Sequence, residues 1–356
     1  MRLLQKMLTI GLFTSCAISL TGCAVDAGGT RESVKRKPAI PNEPLFTDIY
    51  FADPSAHVFE DKLYIYPSHD IDSGIAADDT GDQYDMRDYH VISVEMGKES
   101  TDHGVALKLE DVPWASQQLW APDAACRNGK YYLFFPAKDK KGIFRIGVAV
   151  SDSPTGPFTA EKNYIDGSFS IDPAVFMDSD DQAYLYFGGL WGGQLENWQN
   201  GEYDETLSAP AGLQTALGPM VAPLNEDMVS LAESPQEIQI LDKEGNQLLA
   251  REEDKRFFEG AWVHKYNGKY YLSYSTGTTH TLVYATSDSP VGPFTFQGKI
   301  LDPVKGWTTH HSIVEYQGKW YLFYHDASLS GRDNLRTVKF AEIHYNSDGT
   351  IQPVER

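Results

Sequence analysis

The chain has 356 residues, with 30 Lys and Arg against 50 Asp and Glu, for a formal net charge of −20. That acidity excludes nucleic acid, whose phosphates need a basic surface, and argues against polyanionic substrates, so a neutral ligand is expected. At 41% hydrophobic and 12% aromatic the chain can build a sizeable core, and its 30 Gly and 19 Pro suit many turns rather than a low-complexity segment.

Residues 1–22 read as a targeting segment. Arg2 and Lys6 precede an apolar stretch from Met7 to Leu20, of signal-peptide length and too short for a comfortable membrane span. The sequence L-T-G-C at Leu20–Cys23 resembles the cleavage box of bacterial lipoproteins, with Cys23 as the lipidated residue. Ala24 after it resembles the outer-membrane sorting pattern. The expectation is a lipid-anchored protein of the bacterial envelope, on the outer membrane, facing periplasm or cell surface. Residues 23–44 are polar, with Arg31, Lys35, Arg36 and Lys37 clustered, and read as a tether. Cys16 would leave with the signal and Cys23 would be acylated, so Cys126 has no partner for an internal disulfide or a thiolate metal site.

The expected folded domain spans 45–356 and shows no long segment of helical periodicity. It carries short aromatic and β-branched runs at Lys62–Tyr66, Lys130–Phe135, Ala183–Phe187, Lys269–Tyr274 and Lys319–Tyr324. Four follow a turn pair: Glu60-Asp61, Asn128-Gly129, Asn267-Gly268 and Gln317-Gly318. The fifth follows Asp178-Ser179-Asp180-Asp181. Each is predicted to be the second strand of a hairpin. Aligning the hairpins places Asp53, Ala121, Asp172, Glu259 and His310 at one repeat position. A second repeat, S-D-S-P-T-G-P-F at Ser151–Phe158, recurs as S-D-S-P-V-G-P-F at Ser287–Phe294. Five such units predict an all-β fold, a five-bladed β-propeller.

In a propeller the innermost strands line a central channel, so that repeat position becomes a ring. Three carboxylates facing one cavity cannot all stay ionised, and repulsion with desolvation holds one protonated. A proton donor and an ionised base across a neutral ligand is what glycoside hydrolysis needs.

Five motifs then carry a resemblance: F-A-D-P-S-A at Phe51–Ala56, L-W-A-P-D-A at Leu119–Ala124, S-I-D-P-A-V-F at Ser170–Phe176, F-F-E-G-A-W-V-H-K at Phe257–Lys265 and H-H-S-I-V-E-Y at His310–Tyr316. In this order they resemble glycoside hydrolase family 43, five-bladed propellers that attack β-xylosides and α-L-arabinofuranosides. The resemblance implies Asp53 as general base, Asp172 as the modulator of the acid's pKa and Glu259 as general acid, acting with inversion. It also implies a calcium or water-filled centre near His310 and an arginine, Arg336, presented to the terminal sugar. Trp120 is expected to stack on a sugar face or to pack within its blade. The widest gap between ring residues, Asp172 to Glu259, is expected to hold an extended loop over Trp191–Arg256 that walls one end of the pocket. The reading is an exo-acting β-1,4-xylosidase taking a neutral oligosaccharide or polysaccharide. An α-L-arabinofuranosidase is the alternative, and a non-catalytic glycan-binding lipoprotein a second. No organic cofactor is expected. A retaining fructan-cleaving propeller enzyme is disfavoured, because Ala52 and Ser55-Ala56 do not match its motif.

Overall fold

The computed structural model describes residues 38–307 and 309–356, so the targeting segment, Cys23 and most of the tether lie outside the described residues. The hairpins form because their turns supply the left-handed backbone that a tight two-residue turn demands. Glu60 and Asp61 have φ of 51° and 60°, and Asn128-Gly129, Asn267-Gly268 and Gln317-Gly318 repeat the pattern. Each expected second strand is present: Lys62–Asp70, Lys130–Asp139, Ala183–Phe187, Lys269–Ser275 and Lys319–Asp326.

Every one of these strands pairs antiparallel with a strand before it: Tyr50–Phe59, Asp123–Arg127, Ala174–Met177, Glu259–Tyr266 and His311–Tyr316. The outer strands complete five sheets, the blades I to V of a β-propeller. The S-D-S-P repeat forms the same turn twice, in blades II and IV. Gly156 N–H donates to Ser153 O and Gly292 N–H to Ser289 O, each ahead of a cis Gly-Pro bond. No helix among the described residues is long and apolar enough to cross a membrane.

Two expectations need correction. Trp191–Arg256 is not one extended loop: Met220–Pro223 and Gln236–Glu237 are the outer strands of blade III, and Ile240–Leu241 runs parallel to the edge of blade IV. The expected boundary at residue 45 also falls too late. Blade V has only three named strands, and the chain start supplies the missing edge. Asn42 N–H donates to Phe340 O (2.7 Å) and Leu45 N–H to Val338 O (3.0 Å), both on Thr337–Ile343. Ala39, Leu45 and Phe46 are buried there with Phe51, Val338 and Phe340, so the apolar seam between blades I and V is built from both chain ends. A polar, Pro-containing composition hid this, because the segment joins the blade by separate backbone bonds rather than as a regular strand with a readable alternation.

Leu45→Ala should therefore cost about 2–5 kcal/mol. The expected readout is a lower urea midpoint with an unchanged slope, as for a core residue. A tether residue would leave the midpoint where it was.

Candidate active site

One cavity of about 310 Å³ opens on the propeller axis, and Asp53, Ala121, Asp172, Glu259 and His310 all line it. Trp120 and Arg336 line it as well, so every expected catalytic and substrate residue meets there.

Asp53 lies in a bulge of the first strand of blade I, where register breaks between Ala52 and Ser55 and Asp53 takes φ of 50°. The bulge turns its carboxylate towards the axis. Arg336 grips it from blade V: Nη1 donates to Oδ1 (3.0 Å) and Nη2 to Oδ2 (3.2 Å). Ser68 Oγ donates to Oδ2 (2.7 Å), and the Asp53 N–H donates to His325 Nδ1 (2.9 Å). The same guanidinium donates from Nε and Nη2 to Asp70, at 2.9 and 2.8 Å. One positive charge thus serves two buried carboxylates, and it does not serve them equally. Burial, the largest single influence, would raise Asp53, but Arg336 together with His325 and His310 outweighs it and holds the group well below the ordinary carboxylate range. For Asp70 burial prevails, and the group is raised. Asp53 is the ionised carboxylate of the site.

Asp172 is its opposite. It is 3% exposed, takes φ of 57°, and accepts the Gly260 N–H on Oδ2 (2.9 Å). Burial, then the charges of Glu259 and Asp53, push its carboxyl well above the ordinary range. The protonated form of Asp172 is therefore favoured, beside Glu259.

Glu259 lines the cavity from the first strand of blade IV, but not at the expected repeat position. Blade I pairs Ala52 with Ser68 and Ser55 with Tyr66, and blade IV pairs Glu259 with Ser275 and Trp262 with Ser273. Glu259 therefore matches Ala52, and Gly260, with φ of 69°, matches Asp53. The bulge residue is glycine, and the acid sits one residue before it. Aligning by motif resemblance hid the shift, because D-P and E-G look equivalent while only the strand pairing fixes the register.

His310 is buried beside this pair, its Nδ1 3.7 Å from Asp172 Oδ2, and burial pushes its imidazole down to about 4, so it is neutral. Trp120 is packed into the fold and also faces the cavity. Its ring lies 4.7 Å from Phe144 and Nε1 donates to Tyr84 O (2.8 Å), while the residue still lines the cavity.

The sequence model for glycosyl hydrolases family 43 matches residues 99–351. The chain is 62% identical over 320 residues to a xylosidase/arabinosidase of Humicola insolens, covering 86% of this chain and 98% of that protein. It is 50% identical over 315 residues to a β-xylosidase of Xylanibacter ruminicola, covering 87% and 98%. The fold superposes with a TM-score of 0.86 on a β-xylosidase/α-arabinofuranosidase from a compost metagenome, described as a calcium-free form with xylotriose; identity is 59%, covering 89% of this chain and 98% of that one.

The chain belongs to glycosyl hydrolase family 43. It is a glycoside hydrolase.

Several residues of this family 43 site escaped the sequence reading. Asp70 and Tyr84 frame Arg336, whose guanidinium lies 4.9 Å above the Tyr84 ring. Of the five guanidinium hydrogens, four are committed to Asp53 and Asp70, which leaves one for a sugar. Trp307, 38% exposed, lies 5.9 Å from Trp191, 39% exposed, and both line the cavity beside Phe258. None of these residues sits at a repeat position, so no periodic signal marks them.

Two variants test this arrangement. Gly260→Ala places a Cβ no nearer than 3.7 Å to His310, so its cost is the left-handed backbone, about 1–2 kcal/mol. Because the bulge aims Glu259, kcat should fall by more than that stability loss accounts for. Arg336→Lys replaces a paired fork by a point charge, so the Asp53 pKa should rise. The base form of a carboxylate exists above its pKa, so the acid limb of the kcat/KM profile should move to higher pH. An unmoved limb would separate Arg336 from the base.

Proposed function

We propose that this family 43 enzyme is an exo-acting, inverting β-1,4-xylosidase that also accepts α-L-arabinofuranosides. The observation that carries the reading is the split between carboxylates on one cavity: Asp53 ionised under Arg336, and a proton held at Asp172 beside Glu259. The activities of the relatives from Humicola insolens and Xylanibacter ruminicola support it.

In this mechanism Glu259 protonates the glycosidic oxygen as the bond to the sugar breaks. Asp53 takes a proton from the water that attacks the anomeric carbon from the opposite face. Inversion needs about 6.5–9.5 Å between the two carboxyls to leave room for that water. Asp172 keeps the acid side supplied with a proton and, through Gly260 N–H, holds the strand that carries Glu259. Arg336 keeps Asp53 ionised but weakens it as a base. Its second partner, Asp70, gives the guanidinium a resting place as the charge on Asp53 is consumed. The Trp191 and Trp307 rings beside Phe258 offer apolar faces for a pyranose on the leaving-group side.

Calcium at the channel centre belongs to the same proposal. His310 offers one neutral nitrogen, and no group of three His, Cys, Asp or Glu ligands among the described residues includes it. The residues therefore fit only a largely hydrated ion, held by His310 and water, that would add positive charge near the carboxylates. Cys23 is proposed as a lipid anchor to the outer membrane; Cys23→Ser should move the protein from the detergent phase to the aqueous phase in a Triton X-114 partition.

Parallel rates on 4-nitrophenyl β-D-xylopyranoside and α-L-arabinofuranoside rank the two activities, and NMR of the first sugar released should show the α-anomer of xylose. Glu259→Gln should lower kcat on xylobiose by about 10²–10⁴-fold, and less on aryl xylosides, whose leaving group needs little protonation. Equal losses on both would remove Glu259 from the acid role. EDTA should reduce activity and Ca²⁺ restore it, and a His310→Gln variant should respond to neither.

A further inference from the structure

Blade I carries a second cluster of ligating side chains that hydrolysis does not use. His69, on Lys62–Asp70, lies opposite Asp88 on Asp88–Val94, and His90 lies two residues further along that strand, on the same side as Asp88. One ligand atom from each lies within 4.8 Å of the others. His69 Nδ1 is 2.6 Å from Asp88 Oδ1, and His90 Nε2 is 3.7 Å from the same oxygen, beyond hydrogen-bond range. These distances straddle the roughly 3.3 Å that separates neighbouring ligands of a tetrahedral zinc.

The remaining contacts orient the donors. His90 Nδ1 lies 2.9 Å from Asp102 Oδ1, and a carboxylate can only accept, so Nδ1 carries the hydrogen. In the neutral ring the lone pair is then on Nε2, aimed at Asp88, and the His90 side chain is 9% exposed. Asp102 is itself fixed by the Gly104 N–H (2.8 Å). A carboxylate behind a ligating histidine is the outer-shell partner that protein metal sites use. Phe51 packs against both imidazoles, at 5.5 Å from His69 and 5.3 Å from His90, and forms an apolar floor. His69 and Asp88 remain 19% and 24% exposed, which leaves an entry path.

We propose that His69, Asp88 and His90 bind a zinc-type divalent ion, with Asp102 as the outer partner of His90. Two imidazoles and one carboxylate favour a borderline transition metal over Ca²⁺ or Mg²⁺, so this site differs in chemistry from any ion at His310. Binding replaces the proton that His69 Nδ1 shares with Asp88. It ties the second strand of blade I to the third, over the Phe51–Phe46 contact where the propeller closes. His69 is also the residue before Asp70, so the ion stiffens the strand that holds Arg336 in place.

The test is titration of the purified, chelator-treated protein with Zn²⁺ in excess Ca²⁺, by calorimetry, with Tm followed in parallel. One Zn²⁺ should bind per chain and raise Tm. His90→Gln should abolish both effects, and Asp102→Asn should weaken binding about 10–100-fold while leaving the fold, checked by circular dichroism, intact. His310→Gln should bind Zn²⁺ as the parent does. Co²⁺ on the parent protein should give the intense visible bands of a four- or five-coordinate site, a readout that needs no variant to fold. No saturable Zn²⁺ uptake by the parent, unchanged uptake by His90→Gln, or a purely octahedral Co²⁺ spectrum would each overturn the proposal.

Discussion

The structure depends on a demand made at its axis: each blade's first strand must turn a polar side chain inward while its own buried groups stay bonded. Polar groups buried without partners are costly, and at the axis the partners come from the next blade. Asp123 of blade II accepts from Ser55 and His57 of blade I and from the Val175 N–H of blade III. Asp172 of blade III accepts from Gly260 of blade IV. Ser273 and Trp262 of blade IV meet His311 and the Ile313 carbonyl of blade V. Ser312 and His325 of blade V receive the N–H groups of Ala56 and Asp53 of blade I. The positive φ at Asp53, Asp172 and Gly260 is the backbone cost of this arrangement, met by seam bonds that reach around the ring.

The same seams sort the charges. Asp123 takes three donors and stays structural, whereas Asp172 takes one backbone donor and two carboxylate neighbours. Asp53 receives a guanidinium. Matching positions in a repeat, Asp53 and Asp172, therefore end with carboxyl pKa values shifted in opposite directions because their neighbours differ.

What the sequence made legible was local. Left-handed turn pairs and aromatic runs mark hairpins through interactions a few residues apart, so all five second strands were readable. That Asp53 and Asp172 face one cavity was legible because repetition projects local motifs onto one axis, and Glu259 followed as the neighbour of that repeat position. Strand register was not local: Glu259 stands one residue before the bulge, and only its pairing with Ser275 shows it. The role of Arg336 was hidden for the same reason, since its partners Asp53 and Asp70 lie 283 and 266 positions away. The segment around Ala39 and Asn42 read as tether because its packing partners, Phe340 among them, lie far along the chain.

That distance has a consequence for function. Asp53 has its full set of partners only when blade V has docked on blade I, because Arg336 and His325 both reach it across that seam. The seam also holds Leu45 and Phe46 from the chain start, with Phe51 two residues before Asp53. Asp53 without Arg336 would be a buried carboxylate with burial pushing its pKa upward, and would tend to protonate. A propeller with an open seam would thus keep the carboxyls of blades III and IV in place while Asp53 lost the Arg336 and His325 contacts that fix it. One cavity therefore draws its parts from the first strand of the fold and from the residue before the last strand.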